Sequence, residues 1–208
     1  MIRKSIPQEG LKLIACLSML IDHAAAIFGF ALKWRAIGRL AFPIYCFLLV
    51  EGVYHTRSPK KYALRLAFAA LISEFAFDFA FYGRCVWQHQ NVMLTLLLGV
   101  LALEVMKHCP NLLLKILAVI PFALAADWLN TDYRWYGVVL VALFGLAREL
   151  PGKWPLLAAG MTVLFCMMPS STGMILGISV PVQLFGLVSL LPIALYSGRK
   201  LTKSKAAQ

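Results

Sequence analysis

Residues Leu11 to Leu32 read LKLIACLSMLIDHAAAIFGFAL, an apolar run long enough to cross a bilayer as one helix, with Asp22 and His23 near its middle. An acid and an imidazole at that depth must each be desolvated or partnered. They therefore point to a pathway, a relay or a catalyst, with a polar contact holding helices together as the plainer alternative. The preceding MIRKSIPQEG is basic and looks like the start of a signal peptide. Asp22 and His23 interrupt the run, however, and it continues for a full span, so the segment is expected to be retained.

Further apolar runs follow with connections of only a few residues. At about 15–22 residues per span, helices are predicted near 11–32, 36–54, 62–82, 91–107, 112–129, 135–147, 154–168 and 174–197, the sixth and seventh short for a full crossing. The turn signals Ser58-Pro59, Pro151-Gly152 and Pro169-Ser170 fall between them. Of the 208 residues 61% are hydrophobic and 14% charged, far from the balance of a soluble domain. The expected fold is all-α: a polytopic membrane protein of about eight transmembrane helices, one integral domain over 1–208 with a short basic cytoplasmic tail at 199–208.

The net charge of +11 raises nucleic acid as a partner, but the basic residues sit mainly in the short loops. With the N-terminus inside, the cytoplasmic set is Arg3, Lys4, Lys12, Arg57, Lys60, Lys61, Lys107, Lys115, Arg148, Lys153, Arg199, Lys200, Lys203 and Lys205, against Lys33, Arg35, Arg84 and Arg134 opposite. Fourteen against four, with Arg39 and Arg65 inside spans, accounts for all 20 and predicts both termini in the cytoplasm and a multi-pass inner (plasma) membrane location. Insertion topology thus explains the charge, and the partner it implies is membrane lipid, not nucleic acid. The five cysteines lack C-x-x-C spacing and predict neither a disulfide framework nor a metal cluster. Haem ligation would need two deep histidines, whereas His55, His89 and His108 fall at span ends.

Depth sorts the polar residues into layers. Asp22 and His23 lie near mid-depth and Arg39 early in the second span. Glu74 and Asp78 share a face late in the third, Asn91 and Thr95 open the fourth, and Asp127 ends the fifth. The inner layer is basic: Glu51, His55, Arg57, Lys60, Lys61, Tyr62 and Arg65 cluster at the turn between the second and third spans. Guanidinium forks and ammonium groups hold phosphates, although the lysines are equally explained as topogenic charges. A basic inner mouth, a deep imidazole and an acidic outer layer suggest transfer across the bilayer from a phosphorylated donor to a cationic or hydroxylic acceptor. A neutral imidazole can take the proton from an attacking amine or hydroxyl. Asp22 and His23 point about 100° apart on a helix, so an acid such as Asp78 or Glu74 is the better partner for His23.

The blocks LKLIACLSMLIDHAAAIFG, WRAIGRLAFPIYCFLLVEGVYHT, KYALRLAFAALISEFAFD, NVMLTLLLGVLAL and WYGVVLVALFGL, in that order, resemble the TraX family of membrane proteins, whose namesake acetylates F pilin. The GR-x-x-FP, EG-x-x-HT and KY-x-x-RL patterns carry the resemblance. In this chain they are Gly38 and Arg39; Glu51, Gly52, His55 and Thr56; and Tyr62 and Arg65, beside the Asp22-His23 pair and Asn91 and Thr95. The resemblance implies a multi-spanning acetyltransferase that takes acetyl-CoA from the cytoplasm and acetylates an acceptor across the membrane: a pilin-like protein, a peptide or a glycan. On that reading acetyl-CoA is the donor substrate, no metal is required, and Glu51, His55, Arg57, Lys60, Tyr62 and Arg65 form its docking site. The catalytic set is His23 as base with Asp22 and Asp78, and Arg39, Asn91 or Thr95 as oxyanion donors. Two rivals from other classes remain, a small transporter or proton relay using Asp22, His23, Arg39 and Asp78, and a non-catalytic assembly protein of a conjugation or secretion apparatus.

Overall fold

A computed structural model describes residues 5–87, 89–150, 152–168, 172–175 and 178–199. The tail beyond Arg199 and the turn residues Pro151, Pro169 and Ser170 lie outside the described residues. Helices α1 (Gln8–Ile27), α2 (Leu32–Gly38), α3 (Ala41–His55), α4 (Pro59–Tyr82), α5 (Val92–Lys107), α6 (Leu112–Trp128), α7 (Arg134–Glu149) and α8 (Lys153–Met167) lead to a hairpin, β1 (Thr172–Ile175) and β2 (Ile178–Pro181). A 3-10 helix, Val182–Ser189, and α9 (Leu190–Ala194) complete the described chain.

The helix boundaries follow local chemistry. The first run stops at Ile27, with Gly29 in the left-handed region at φ +66. The second run divides into α2 and α3 around Arg39 and Leu40, and Pro43 sits in the first turn of α3, where its missing N–H is harmless. Pro59 opens α4 and left-handed Gly83 ends it. Asn91 and Asn111 cap α5 and α6 by accepting from the backbone N–H groups of Met93 and Leu114.

The last run departs from the helix predicted over 174–197. Its described residues form an antiparallel hairpin pairing Thr172 with Pro181 and Gly173 with Val180, then the 3-10 helix and one short α-helix. The β-branched Ile175, Ile178 and Val180 favour strand, and Pro181, Gly186 and Pro192 interrupt a long helix. Positions 176–177 of that predicted helix lie outside the described residues.

The fold is described as two compact units, Met1–Tyr45 with Met161–Gln208, and Cys46–Gly160. In the first, α1 packs on α2, and the two ends of the described chain are tied together. Ser5 N–H donates to the Leu195 carbonyl at 2.9 Å and Ser197 N–H to the Ile6 carbonyl at 2.8 Å. In the second, α5 is the central element, packed against α4, α6 and α7, with Leu96, Val100, Ala102, Leu103 and Met106 buried. Glycines allow the close approach of α5 and α7: a Cβ on Gly145 would meet Leu103 Cδ2 at 2.5 Å.

Two helical stretches among the described residues, Gln8–Ile27 and Leu32–His55, are long and apolar enough to cross a membrane, each with mean hydropathy 1.6. The second unit adds outward-facing apolar stripes. Leu64, Phe68, Leu71, Ile72, Phe75 and Phe79 are exposed along α4, and Leu113, Ile116, Leu117, Ile120 and Leu124 along α6. Steps of three and four residues put each set on one helix face. A water-soluble helix turns such a face inward, so these surfaces are built to meet an apolar surrounding.

Candidate functional site

In the first unit the site grows from the close approach of α2 to α1. A Cβ on Gly38 would lie 2.2 Å from Asp22 Cβ, so glycine is the residue that admits the aspartate here. That approach brings Arg39 Nη2 to donate to Asp22 Oδ1 at 2.5 Å, while Arg35 Nε lies 3.4 Å from the same oxygen. Arg39 Nε also donates to the Arg35 carbonyl at 3.3 Å, and its side chain is only 11% exposed. The Gly-Arg pair is thus a structural device that seats one guanidinium on a carboxylate set in an apolar helix. His23 follows on α1 and is half-buried.

A second cluster forms where α4 ends and α5 begins. Glu74 Oε2 accepts from Asn91 N–H at 2.9 Å and Asp78 Oδ2 from Val86 N–H at 2.8 Å. Asp78 is 4% exposed, and its Oδ1 and the Glu74 Oε1 are buried with no hydrogen-bond partner among the described residues. Asn91 spends its side chain within the fold: Nδ2 donates to the Ala70 carbonyl at 2.9 Å, and Oδ1 caps α5. Thr95 is fully buried, with its hydroxyl against Thr131 Oγ1 at 2.9 Å and the Asp132 carbonyl. These contacts give Asn91 and Thr95 a tethering role between α4, α5 and the loop before α7, beside whatever donor role the chemistry asks of them. That loop is conformationally demanding, with Asn130, Tyr133 and Arg134 all at positive φ.

The third cluster closes the opposite end of the same unit. Arg148 Nε pairs with Glu51 Oε1 at 2.8 Å, and Lys115 Nζ with Glu149 Oε2 at 2.5 Å. Lys107 Nζ meets Glu104 Oε1 at 2.7 Å and donates to the Val53 carbonyl at 3.0 Å. The Tyr54 ring takes the Arg148 guanidinium at 4.4 Å and the Lys107 ammonium at 4.8 Å, and its hydroxyl donates to Glu149. His55 Nδ1 lies 2.7 Å from the Glu51 carbonyl, and its side chain is 67% exposed. Tyr62 packs on Gly52, where a Cβ would come within 2.8 Å of its hydroxyl. Arg57, Lys60 and Lys61 are exposed, as is Arg65, whose Nε donates to the Lys61 carbonyl at 3.3 Å. The inner cations therefore divide into those matched by acids and those presented to the surroundings.

The hydrogen bond from Lys115 lowers the Glu149 carboxyl below its ordinary range. A depressed carboxylate contributes stability above its unfolded pKa and loses it as pH falls through the folded value. Thermal unfolding followed from neutral to acid pH should accordingly show a Glu149→Gln variant with a shallower acid loss than wild type. Identical acid limbs would dismiss the pair as a stabilising contact.

The structure brings together Asp22 with Arg39, Glu74 with the start of α5, Asp78 with Val86 in the loop before it, and Glu51 with His55. Asp22, His23 and Arg39 belong to the first unit; Asp78, Asn91, Thr95 and the Glu51-to-Arg65 group belong to the second. Sequence reasoning assigned Arg35 and Arg148 only to loop charge, and passed over Tyr54, Thr131 and Asp132. A signal was present for one of them: Arg148-Glu149 is an adjacent charge pair closing an apolar helix. Its partners at Glu51 and Lys115 are too distant in sequence for any spacing rule.

Comparison with known proteins gives a family for the chain. The TraX protein family matches residues 7–207. A protein of Dichelobacter nodosus described as "Probable fimbrial assembly protein FimC, serogroup H1" is 34% identical over 77% of this chain and 74% of its own length. No solved structure matches. With a match over nearly the whole chain, and with two apolar helices long enough to span a bilayer, this membrane protein belongs to the TraX family.

Proposed function

We propose that the protein is a membrane-embedded acetyltransferase that moves an acetyl group from cytoplasmic acetyl-CoA to an amine or hydroxyl of a pilin-like acceptor at or beyond the membrane. The observation that carries it is the seating of Arg39 on Asp22 through Gly38, immediately beside His23. An acid, two guanidiniums and an imidazole on one helix pair are worth their desolvation when they serve chemistry. The family's link to pilin acetylation and the fimbrial assembly name of the relative support the acceptor class.

His23 accepts the proton from the acceptor nucleophile as its nitrogen or oxygen bonds to the acetyl carbonyl carbon. The carbon–sulfur bond then breaks, and the CoA thiolate leaves and is reprotonated by the imidazolium. Arg39, held by Asp22, is the residue we assign to the carbonyl oxygen as negative charge develops. Asp78 lends negative charge to the acceptor side, with Asn91 and Thr95 holding that region in place. Phosphates of acetyl-CoA are assigned to the exposed inner cations Arg57, Lys60 and Arg65 with His55, flanked by Glu51 and Tyr62. Lys107, Lys115 and Arg148 are matched by acids and serve the scaffold. The asymmetry of the loop charges supports a multi-pass inner-membrane arrangement with both termini in the cytoplasm. The same arrangement is supported by the backbone hydrogen bonds that join the two ends of the described chain.

Purified protein given labelled acetyl-CoA, alone and with cell-surface extract, should release CoA and label an extract component. Absence of both in wild type would end the acetyltransferase reading. Arg65→Ala is expected to weaken acetyl-CoA binding about 10-fold, the worth of one charge-assisted hydrogen bond, read by equilibrium titration. Unchanged affinity would remove Arg65 from the donor site. The buried oxygens of Glu74 and Asp78 that meet no partner among the described residues favour one second reading, a proton relay, for which substrate-dependent flux in proteoliposomes without acyl-CoA is the test.

A further inference from the structure

The most exposed large apolar side chains among the described residues are Trp87 at 88% and Trp128 at 84%. They are far apart in sequence yet line one cleft of about 350 Å³, with Gln90, Leu129 and Asn130. Backbone hydrogen bonds fix the two loops to each other. Gln90 N–H donates to the Asn130 carbonyl at 3.2 Å and Asp132 N–H to the Gln90 carbonyl at 2.8 Å. Gln90 Nε2 also donates to the Trp87 carbonyl at 3.1 Å, so both indoles are carried on a tied frame.

The position of the cleft along the helices identifies its surroundings. Trp128 continues the exposed stripe of α6, one turn beyond Leu124, and Trp87 lies shortly after the exposed stripe of α4 ends at Tyr82. At ~1.5 Å per residue the α4 stripe from Leu64 to Tyr82 extends about 27 Å, close to the ~30 Å of a bilayer's hydrocarbon core. Exposed Lys60 and Lys61 stand at its other end. Polar groups stand at the same level, including the ion pair of Arg134 with Asp127, the residue before Trp128, at 3.0 Å. Lysines, then apolar surface, then indoles beside polar groups is the order of layers that a bilayer imposes, and indoles belong at the headgroup level.

We propose that Trp87 and Trp128 anchor the protein in the headgroup layer of the non-cytoplasmic leaflet, with a phospholipid headgroup seated in the cleft between them. The five lining residues carry no charged side chain, so the indole N–H groups and the amides of Gln90 and Asn130 supply the hydrogen bonding, and the indole faces cover the first acyl carbons. This rests on α4 and α6 spanning the membrane and is independent of acetyl transfer.

The test reconstitutes the full chain in phosphatidylcholine vesicles carrying bromine either high or low on the acyl chains, and compares tryptophan quenching in wild type and the Trp87→Phe/Trp128→Phe double variant. Wild type should show a component quenched at least two-fold more by shallow than by deep bromines, and the double variant should lose it. A Leu71→Trp variant supplies the membrane reference, and its added emission should respond most to deep bromines. If the component removed by the double substitution is instead quenched by aqueous iodide and by neither lipid, the cleft is a water-facing site for a soluble or protein ligand and the anchor is refuted. If the Leu71→Trp emission is also untouched by lipid, the spanning assignment of α4 falls with it.

Discussion

His23→Ala is expected to lower acetyl transfer by about 10²–10⁴-fold, the range supplied by a positioned general base, while leaving acetyl-CoA binding intact. His23 is one residue from Asp22 on α1, at the helix pair where Gly38 allows Arg39 to reach the carboxylate. Removing the imidazole takes away the proton acceptor and leaves that ion pair in place. The split between the two readouts therefore matters: loss of transfer with preserved donor binding points to chemistry, whereas joint loss points to misfolding. His23→Gln separates the roles further, because glutamine keeps hydrogen-bonding capacity but cannot accept a proton at neutral pH. Full transfer in either variant would remove His23 from the reaction, and the proton relay or assembly readings would take its place.

The second large effect is expected at Gly38. The Cβ of Gly38→Ala would sit 2.2 Å from Asp22 Cβ, an atom bonded to the backbone that no rotamer change removes from the way. Because side-chain rotation does not move Asp22 Cβ, helix α2 must then move off α1, at a cost of about 1–3 kcal/mol for overpacking. Each kcal/mol corresponds to about 2–4 °C in Tm for a chain of this size. Separating the helices also lengthens the 2.5 Å contact of Arg39 with Asp22, so transfer activity should fall together with stability. Gly10→Ala is the control within the same unit. Its Cβ would meet Pro7 Cδ at 3.3 Å, a contact relieved by a small shift, and it is expected to be close to neutral. Equal stability of Gly38→Ala and wild type would show that the approach of the two helices is not set by this glycine.

Local chemistry was readable directly. Apolar runs and the turn signals between them gave helices close to α1 and α4 to α8, because each depends on residues within a few positions of one another. The run over 174–197 misled for the same reason: hydrophobicity alone does not separate helix from strand, and the β-branched and proline content decided for a hairpin. The candidate site was partly legible. Asp22, His23, Arg39, Glu74 and Asp78 were singled out because ionisable groups in apolar runs stand out at any distance from their partners.

What the sequence by itself determined, then, is a mostly helical membrane protein of the TraX family with acid, imidazole and guanidinium groups set into its apolar segments. The tertiary structure decided which of these groups meet. Arg39 turns to Asp22, Arg148 to Glu51, Lys115 to Glu149, and Thr95 to Thr131, pairs separated by 17, 97, 34 and 36 positions. Periodicity reports which face of a helix a residue occupies, and it carries no information about which other helix that face will touch. That choice belongs to the packing of whole helices, where a missing Cβ at Gly38 or Gly145 sets how near two backbones come and hence which charges can reach each other.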